Sequence, residues 1–458
     1  MPYLLREKNM DFYRKNIEEL ENWKVSQVRK PLILKGARQV GKTWLLKEFG
    51  RRSFGRVHYC NFEEQSSLKK IFAHDLNPNQ ILDDLSLILR TGIDEKHDLL
   101  IFDEIQACPR ALTSLKYFYE NKRQLAVCAA GSLLGVYLNE QESFPVGCVD
   151  YLDIYPMSFL EFLFAYEPYL GEQFKKLVSP CHITPLAHEQ YWNLFKEYLI
   201  VGGLPEVVKT YVNYKNKDAF TAYGAVRSIQ KKLVQSYIAD IAKHSGKLNA
   251  LHIEQVWQSS VNQLSKAQEN VQKFLFKNVL AGHTGFRELS GPIHWLKKAG
   301  LVLESLIADC AQIPPNAFTK ENRFKLYHFD TGLLGCMAQI PPESIVEFDF
   351  GTYKGFFVEN FVAQELVCAG RGPLISWNEG SAEIEFLLTH KNNIIPVEVK
   401  SGRSRQGKSL KIYSQKYKPR VQIILSGQLE KSTESQFYCP LYLAGSLCSM
   451  PFHELNFI

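Results

Sequence analysis

A glycine-rich segment near the amino end constrains this chain more than any other feature. An apolar run, LILK at 32–35, is followed directly by GARQVGKT at 36–43 and then by the helical sequence WLLKEF at 44–49. This strand–loop–helix order matches the pattern G-x-x-x-x-G-K-[ST] of phosphate-binding loops. The fixed positions coincide by chance in about one chain in a hundred of this length. Because the flanking strand and helix lower that frequency further, the sequence predicts a nucleotide-binding domain.

The chemistry of this loop indicates which residues hold the ligand. Gly36 and Gly41 permit a tight loop whose backbone N–H groups converge on a phosphate, and the following helix presents its positive end to the same anion. Lys42 can reach the β- and γ-phosphates, and the Thr43 hydroxyl can ligate Mg²⁺. We therefore expect ATP and Mg²⁺ as cofactors. The predicted binding residues are Gly36, Ala37, Arg38, Gln39, Val40, Gly41, Lys42 and Thr43.

Hydrolysis would also require an acidic strand end beside the loop, and DLLIFDEIQ at 98–106 supplies one. Its apolar run lacks alternation, as is typical of a parallel strand that is buried on both faces. Asp103 is expected in reach of Mg²⁺ through water, with Glu104 placed to polarise the attacking water. Another predicted strand, at 125–132, ends in Ser132, a candidate sensor of the γ-phosphate or the water. An ordinary strand-to-loop junction is the alternative for Asp103 and Glu104, but their position after a phosphate loop favours the functional interpretation.

Strands alternate with helical segments through the first third of the chain, with further strands predicted at 56–62 and 149–156. This alternation predicts an α/β fold with a mainly parallel sheet covered on both faces. Ligands of such sheets bind beyond the carboxyl ends of the strands, where the loop, Asp103 and Ser132 are all expected to lie.

Several strings in a fixed order resemble a family of prokaryotic AAA ATPases that carry a C-terminal domain of unknown function. The strings are GARQVGKT, LLIFDEIQ, AAGSLLG, DIYPMSFLEFL, YLIVGGLPEVV and FKLYHFDTGLL, and together they extend the resemblance over nearly the whole chain. The resemblance implies a P-loop core with strand order 5-1-4-3-2. It also implies that Lys42 and Thr43 bind the nucleotide with magnesium, that Asp103 and Glu104 serve the metal and the water, and that Ser132 is the sensor.

One position departs from that family. In FPVGCVDYLDIYP at 144–156 the family usually has a basic residue after the glycine, where this chain has Cys148. A basic side chain there would be a candidate finger onto the γ-phosphate of a neighbouring subunit, and such an arginine contributes ~10³–10⁵ in rate where one is assigned. Its absence argues against fast turnover. Arg38, Arg110 and Arg123 are candidate substitutes, and a finger supplied in trans would require a homo-oligomer.

The sequence divides into four predicted regions. Residues 1–156 are the ATPase core and 157–245 are a helical lid or linker. Residues 246–312 resemble a winged helix that either meets a DNA backbone or only mediates protein contacts. Residues 313–458 are predicted to form an αβ domain. This domain is predicted to contain a helix, three strands, a basic segment and further strands, the last at 440–445. That order of elements resembles the PD-(D/E)xK restriction-endonuclease-like fold.

Three carboxylates and a lysine are predicted to converge in this last region. Glu359 lies on the helix, Glu385 on the second strand, and Glu398 and Lys400 on one face of the third. Such a set could hold Mg²⁺ and activate water for phosphodiester cleavage. Two features oppose this interpretation. Glu-x-Lys is a common tripeptide with usually solvated charges, and Glu385 stands where the fold has the shorter Asp.

Positive charge is concentrated at 391–420, which holds nine Lys and Arg against one acid, so its net charge of +8 exceeds the +6 of the whole chain. Tyr413 and Tyr417 are interleaved with these charges and could stack on bases. A solvated basic surface is the alternative, but this charge density favours DNA or RNA as a partner.

The composition, with 45% hydrophobic and 22% charged residues over 458 positions, is that of a globular protein. No stretch reaches the ~18 apolar residues of a membrane span, and the first residues resemble no secretory signal. The ten cysteines include no CxxC pair and are expected to be reduced, so we expect a cytoplasmic protein without a membrane partner.

Three functions follow as hypotheses. The first is an AAA-type ATPase that couples ATP binding and hydrolysis to a nucleic-acid-engaging, nuclease-like domain. The second is a low-turnover nucleotide switch that acts through protein contacts with an inactive nuclease fold, which Cys148 and Glu385 favour. The third is a metal-dependent nuclease that ATP gates.

Overall fold

The computed structural model of the chain describes residues 12–132, 145, 147–178, 183–266, 273–282, 284–348, 353–401, 408–429, 432–433 and 435–447. They form two compact units. The core unit comprises residues 14–155 and 298–301. The C-terminal unit comprises the described residues of 1–13, 156–297 and 302–458. The predicted ATPase core at 1–156 corresponds closely to the core unit.

The core unit is built on five parallel strands. The strands are β1 (Leu32–Lys35), β2 (Arg56–Asn61), β3 (Asp98–Asp103), β4 (Ala126–Ala130) and β5 (Asp150–Asp153). The helices are α1 (Asn16–Val25), α2 (Lys42–Ser53), α3 (Leu68–Ile71), α4 (Pro78–Leu89) and α5 (Pro109–Asn121). The strands lie in the order β2-β3-β4-β1-β5, which is the expected 5-1-4-3-2 order seen from the other edge.

Burial explains why the central strands have no polar alternation. Every residue of β3 and of β4 is buried, because helices cover both faces of a parallel sheet. Phe102 of β3 packs against Phe62, Phe72 and Phe118, with ring centroids 5.6–6.1 Å apart. These ring contacts hold β3 in place within the core unit and therefore position Asp103, the last residue of that strand.

The C-terminal unit begins with helices, as the sequence predicts for 157–245. After β5 the helices are α6 (Phe159–Tyr166), α7 (Pro168–Val178), α8 (Pro185–Val201), α9 (Pro205–Tyr214), α10 (Ala219–Ser245), α11 (Lys247–Lys266), α12 (Phe286–Lys298), α13 (Thr331–Met337), α14 (Pro342–Val346), α15 (Lys354–Cys368) and α16 (Lys408–Tyr417). Local sequence sets several of these starts. Ser158 forms a capping box with Glu161 at α6, and proline opens α8 and α9.

Two four-stranded sheets complete this unit. The strands are β6 (Val302–Ala308), β7 (Thr319–His328), β8 (Leu374–Glu379), β9 (Ala382–Ile384), β10 (Phe386–His390), β11 (Asn393–Val399), β12 (Gln422–Ser426) and β13 (Gln436–Pro440). One sheet has the order β7-β6-β8-β9 and the other β10-β11-β12-β13. Glu385 is the single residue between β9 and β10, where the chain passes from one sheet to the other.

The sheets correct three predictions. A domain boundary at 312/313 is wrong, because β6 pairs antiparallel with β7 and parallel with β8 across it. The second strand predicted for the last region, AEIEFLLT at 382–389 with Glu385, is two strands in different sheets, β9 and β10. The predicted strand at 440–445 is a 3₁₀ helix at Leu441–Ser446, and β13 precedes it. The region 246–312, which resembles a winged helix in its sequence, contains the helices α11 and α12 and the strand β6.

No helix among the described residues is both long and apolar enough to cross a lipid bilayer.

Candidate functional site

The predicted phosphate loop has the backbone geometry that its glycines suggest. Gly36 has a φ of +143°, and a Cβ atom there would lie 2.1 Å from the carbonyl oxygen of Ile154. Gly41 has a φ of +95° and directly precedes α2. Any other residue at Gly36 would displace the backbone after β5, so glycine is required at this position.

Lys42 folds back over this loop. Its Nζ atom donates hydrogen bonds to the carbonyl oxygens of Gly36, at 2.9 Å, and Ala37, at 2.7 Å. Burial lowers the pKa of Lys42 to about 8, and the nearby Glu104 and Asp103 carboxylates oppose that shift. A buried ammonium that is held only by neutral carbonyl oxygens is poised for an anionic partner.

Asp103 accepts hydrogen bonds from two hydroxyl groups on neighbouring elements. Thr43 Oγ1 lies 2.8 Å from Asp103 Oδ2, and Tyr59 Oη donates to the same oxygen at 2.7 Å. Burial and this bond raise the pKa of Tyr59. The predicted pair of Thr43 and Asp103 is therefore brought together. The sequence analysis did not single out Tyr59, because nothing local to the strand at 56–62 links that tyrosine to Asp103.

Glu104 is held by three donors on one oxygen. Its Oε2 atom accepts from Gln106 Nε2 at 2.5 Å, from the Ser132 backbone N–H at 3.2 Å and from Ser132 Oγ at 3.1 Å. The backbone of Glu104 is left-handed, with a φ of +48°, which costs on the order of 1 kcal/mol for a residue other than glycine. The structure thus joins Glu104 to the predicted sensor Ser132, and adds Gln106, which the sequence analysis missed.

Two further residues border the loop from distant parts of the sequence. Arg14 is 4% exposed and donates to the carbonyl oxygens of Val40, at 3.0 Å, and Tyr155, at 2.8 Å. Gly300 has a φ of +73°, and a Cβ atom there would lie 3.0 Å from the backbone nitrogen of Ala37. Both residues help to fix the loop, and no motif in the sequence points to either.

The arginines considered in place of Cys148 differ in their surroundings. Arg110 donates to the carbonyl oxygens of Phe72 and His74, and Arg123 to that of Tyr119. These bonds tie Arg110 to the backbone that follows α3, and Arg123 to α5. Arg38 is exposed within the phosphate loop, and its charge is close enough to affect Lys42. Of the three, only Arg38 is part of the loop itself.

The residues of the core unit fit ATP with Mg²⁺. A hydroxyl and a carboxylate are the oxygen ligands that magnesium prefers, and Thr43 and Asp103 bring them within 2.8 Å of each other. The left-handed Gly41, the amino end of the twelve-residue α2 and the Lys42 ammonium supply an anion site beside them. These groups are of the kinds that a phosphate chain and its metal ion require.

A cluster of charged side chains lies in the C-terminal unit where the sequence predicts a second metal site. Lys325 Nζ lies 3.1 Å from Glu359 Oε2 and 2.5 Å from Glu383 Oε1. The Val399 backbone N–H donates to Glu385 Oε2 at 3.0 Å. Lys400 forms an ion pair with Oε1 of Glu398, a residue only 1% exposed.

Burial and the neighbouring carboxylates together set the pKa values in this cluster. The carboxylates oppose the effect of burial on the lysine and add to its effect on the glutamate. Burial alone would lower the pKa of Lys325, but Glu359 and Glu383 hold it well above its ordinary value. Burial raises the pKa of Glu385 well above its usual range, and the Glu359 and Glu383 carboxylates add to that shift. The predicted residues therefore interact, together with Lys325 and Glu383, which the sequence analysis did not include.

The predicted ligands do not fit a metal ion in this arrangement. Among the described residues, no three His, Cys, Asp or Glu side chains form a group that could hold one. Glu359, Glu385 and Glu398 each have one carboxylate oxygen bonded to a donor of the protein itself. A nuclease metal site at these residues is therefore a prediction from the sequence pattern alone.

Most of the described basic side chains in the segment 391–420 are exposed, and Lys400 is half-buried. Arg403 and Arg405 lie outside the described residues, whereas Lys391, Lys408, Lys411, Lys416, Lys418 and Arg420 are exposed. The prediction that Tyr413 stacks on bases is wrong, because its side chain is 1% exposed and packs edge-on against Trp377 at 5.1 Å. Tyr417 is half-buried against the same ring, at 5.8 Å.

The sheet order, the glycine loop and the contact of Thr43 with Asp103 define a P-loop nucleotide-binding domain. The family model described as AAA domain matches residues 28–163, so this part of the chain is an AAA domain. Two domains of unknown function follow, DUF8612 at 193–344 and DUF4143 at 354–443. No curated protein matches the chain.

Several solved structures match the chain at low sequence identity. A Walker-type ATPase of Pyrococcus abyssi is 16% identical, covers 72% of this chain and 97% of its own, and has a TM-score of 0.45. The Orc1 protein of Aeropyrum pernix in complex with DNA is 13% identical, with 74% and 95% coverage and a TM-score of 0.31. The RuvB Holliday junction branch migration motor of Thermotoga maritima is 13% identical, with 66% and 91% coverage and a TM-score of 0.29.

Proposed function

We propose that this protein binds ATP with Mg²⁺ in its AAA domain, hydrolyses it, and couples the nucleotide state to nucleic-acid engagement by the C-terminal unit. The observation that carries the proposal is the 2.8 Å contact between Thr43 and Asp103, beside the buried Lys42. A hydroxyl, a carboxylate and an ammonium so placed have no shared role in packing a hydrophobic core, but they match the parts of a phosphate–metal site.

In the proposed mechanism the loop N–H groups and Lys42 bind the β- and γ-phosphates. Thr43 and Asp103 would hold Mg²⁺, which neutralises charge on the phosphates. Tyr59 orients the Asp103 carboxylate through its 2.7 Å bond. Glu104 accepts a proton from the attacking water as the water oxygen bonds to the γ-phosphorus and the bond to the leaving oxygen breaks. To do so, its Oε2 atom must exchange a present donor for the water.

Exposed charge supports nucleic acid as the partner of the C-terminal unit. Lys408, Lys411 and Lys416 lie on α16, and Lys418 and Arg420 follow it, all with exposed side chains. Phosphate contacts from such side chains give affinity without sequence preference. The buried Tyr413 supplies no stacking surface, so binding would rest on charge.

A second candidate is a nucleotide-dependent switch with low turnover. The threefold hydrogen bonding of Glu104 Oε2 favours it, because an oxygen that already accepts from three donors has no lone pair left to accept from an attacking water. Cys148, which stands where related sequences place a basic residue, points the same way. The protein would then exchange nucleotide states by binding and release, and would act through protein contacts.

Steady-state phosphate release separates these candidates. Wild-type protein, Lys42→Ala and Glu104→Gln would be assayed with ATP and Mg²⁺, with and without DNA and RNA, beside calorimetric titration of ATP and GTP. Release that is lost in Lys42→Ala, and lost with retained ATP binding in Glu104→Gln, supports the ATPase. Stoichiometric ATP binding without release supports the switch. Failure to bind either nucleotide overturns both.

A further inference from the structure

We infer that Lys325 is the resident cation of the C-terminal carboxylate cluster and takes the place of the metal ion that the sequence pattern suggests. The cluster comprises Lys325, Glu359, Glu383, Glu385, Glu398 and Lys400. Its function is then to join β7 to α15 and β9, and the cluster supplies no metal site for cleaving nucleic acid. The inference goes beyond the proposed ATPase function and does not depend on it.

The first step is the position of the ammonium. Lys325 reaches from β7 to Glu359 on α15, at 3.1 Å, and to Glu383 on β9, at 2.5 Å. These are hydrogen-bond distances, so the ammonium and the two carboxylates form a closed set. A divalent ion on Glu359 would lie a few ångströms from this ammonium and would be repelled by its charge.

The second step is the saturation of Glu359. Its Oε2 atom accepts from Lys325 and also from Tyr327 Oη, at 3.2 Å. Both donors come from β7, two residues apart and therefore on one face of that strand. Magnesium demands near-ideal octahedral oxygen ligands at ~2.0–2.1 Å, and an oxygen with two hydrogen-bond donors already in place is a poor ligand for it.

The third step is burial. The Lys325 side chain is 7% exposed, and its partners Glu359 and Glu383 are 13% and 17% exposed. A lysine is almost never buried unless it is paired, and removing one partner of a buried pair leaves an uncompensated charge. Lys325 is therefore required by the carboxylates that surround it, as a bound cation would be.

The last step concerns Glu398 Oε2, a buried carboxylate oxygen of the cluster. Glu398 Oε1 pairs with Lys400, whereas the buried Glu398 Oε2 has no hydrogen-bond partner within the described part of the chain. If this centre took up a metal ion, Glu398 Oε2 would be the atom available to ligate it. Glu398 is therefore the residue whose replacement tests the inference.

The test uses the full chain without nucleotide, titrated with Mn²⁺ and followed by the electron paramagnetic resonance signal of the free ion. Wild-type protein and Glu398→Gln should give the same titration, because no Mn²⁺ binds at the cluster. Any weak binding of Mn²⁺ at Thr43 and Asp103 is the same in the two proteins, so it does not contribute to the difference between their titrations. Micromolar binding of one Mn²⁺ that Glu398→Gln abolishes would overturn the inference. So would Mn²⁺-dependent cleavage of plasmid DNA that Glu398→Ala abolishes.

Thermal unfolding supplies a second, independent readout. Lys325→Met should lower the unfolding midpoint by roughly 5–10 °C or prevent folding, because it leaves two buried carboxylates without a counter-charge. Adding Glu383→Gln to Lys325→Met should recover part of the loss. Lys416→Met is the matched control, because Lys416 pairs with Glu379 on the surface. An unchanged midpoint in Lys325→Met would contradict the inference even if no metal binds.

Discussion

Gln106 donates a hydrogen bond from Nε2 to Glu104 Oε2 at 2.5 Å, and the same oxygen accepts from both donors of Ser132. Two features make this arrangement costly. Gln106 Oε1 is buried without a partner among the described residues, and Glu104 is in a left-handed conformation. An unsatisfied buried acceptor costs ~1–3 kcal/mol, so a ligand that offers Glu104 a new donor can displace this arrangement.

Gln106→Leu should raise the kcat for ATP hydrolysis by roughly three- to tenfold with little change in KM. Leucine keeps the volume but removes the donor, which contributes ~1 kcal/mol to holding the Glu104 carboxylate away from the water. Phosphate release at saturating ATP measures the effect. Gln124→Leu, at an exposed position, is the control. A fall in kcat with intact ATP binding would instead mean that Gln106 orients the water, contrary to this prediction.

The charge state of Lys42 predicts a pH dependence of ATP binding. Burial lowers the pKa of this lysine to about 8 in the free protein, and the phosphates select its protonated form. Above pH 8 the protonated fraction falls, so the apparent Kd for ATP should rise, approaching tenfold per pH unit. Calorimetric titrations between pH 7 and 9.5 measure it. Because a guanidinium stays protonated over this range, Lys42→Arg should show a flat profile at whatever affinity it retains. A flat wild-type profile would contradict the prediction.

The sequence was sufficient for those parts of the nucleotide site that a local motif encodes. The loop follows β1, Asp103 ends β3 and Glu104 comes directly after it, so their position at the carboxyl edge of the sheet could be predicted. Tyr59 and Arg14 reach the same site through tertiary packing, which no local pattern reports. Gln106 lies inside the quoted DEIQ string, but its role depends on the left-handed turn at Glu104.

The C-terminal cluster was predicted only in part for a similar reason. Glu359, Glu385, Glu398 and Lys400 belong to one helix–strand pattern, whereas Lys325 lies on β7, which precedes that pattern and joins it through the sheet. The prediction that Tyr413 stacks on bases was wrong for a different reason. Leu410, Tyr413 and Tyr417 recur at the three- and four-residue spacing of a buried helix face, and this spacing was visible beside the charges.

The exposed face of α16 should dominate nucleic-acid binding. In Lys408→Glu/Lys411→Glu we expect the affinity for duplex DNA to fall at least tenfold, and the slope of log K against log salt to decrease by about two, one for each lost phosphate contact. Fluorescence anisotropy at several salt concentrations measures both quantities. Lys70→Glu/Lys96→Glu, with both lysines exposed in the core unit, is the charge-matched control. Equal loss in the control would show that net charge alone, and not this face, sets the affinity.

Glu365 should make stability depend on pH in a defined direction. It is 2% exposed, and its Oε1 atom accepts from the Phe159 backbone N–H at 2.8 Å. Burial raises its pKa to about 8 from an ordinary value of 4.5, although the bond from Phe159 opposes the shift. Between these values the folded state binds more protons than the unfolded state. This carboxyl therefore lowers the free energy of unfolding as pH rises, by up to ~1.4 kcal/mol per unit, and the loss levels off above pH 8.

Glu365→Gln isolates that contribution, because glutamine keeps the shape and the acceptor of Phe159 without a charge to bury. Its unfolding midpoint should equal or fall slightly below that of the wild type at pH 5 and exceed it at pH 8.5, so the two curves cross as pH rises. Thermal unfolding of both proteins between pH 5 and 9 measures the difference, and Glu172→Gln, exposed on α7, controls for the loss of one carboxylate. A constant difference across this range would mean that Glu365 does not change its protonation on unfolding.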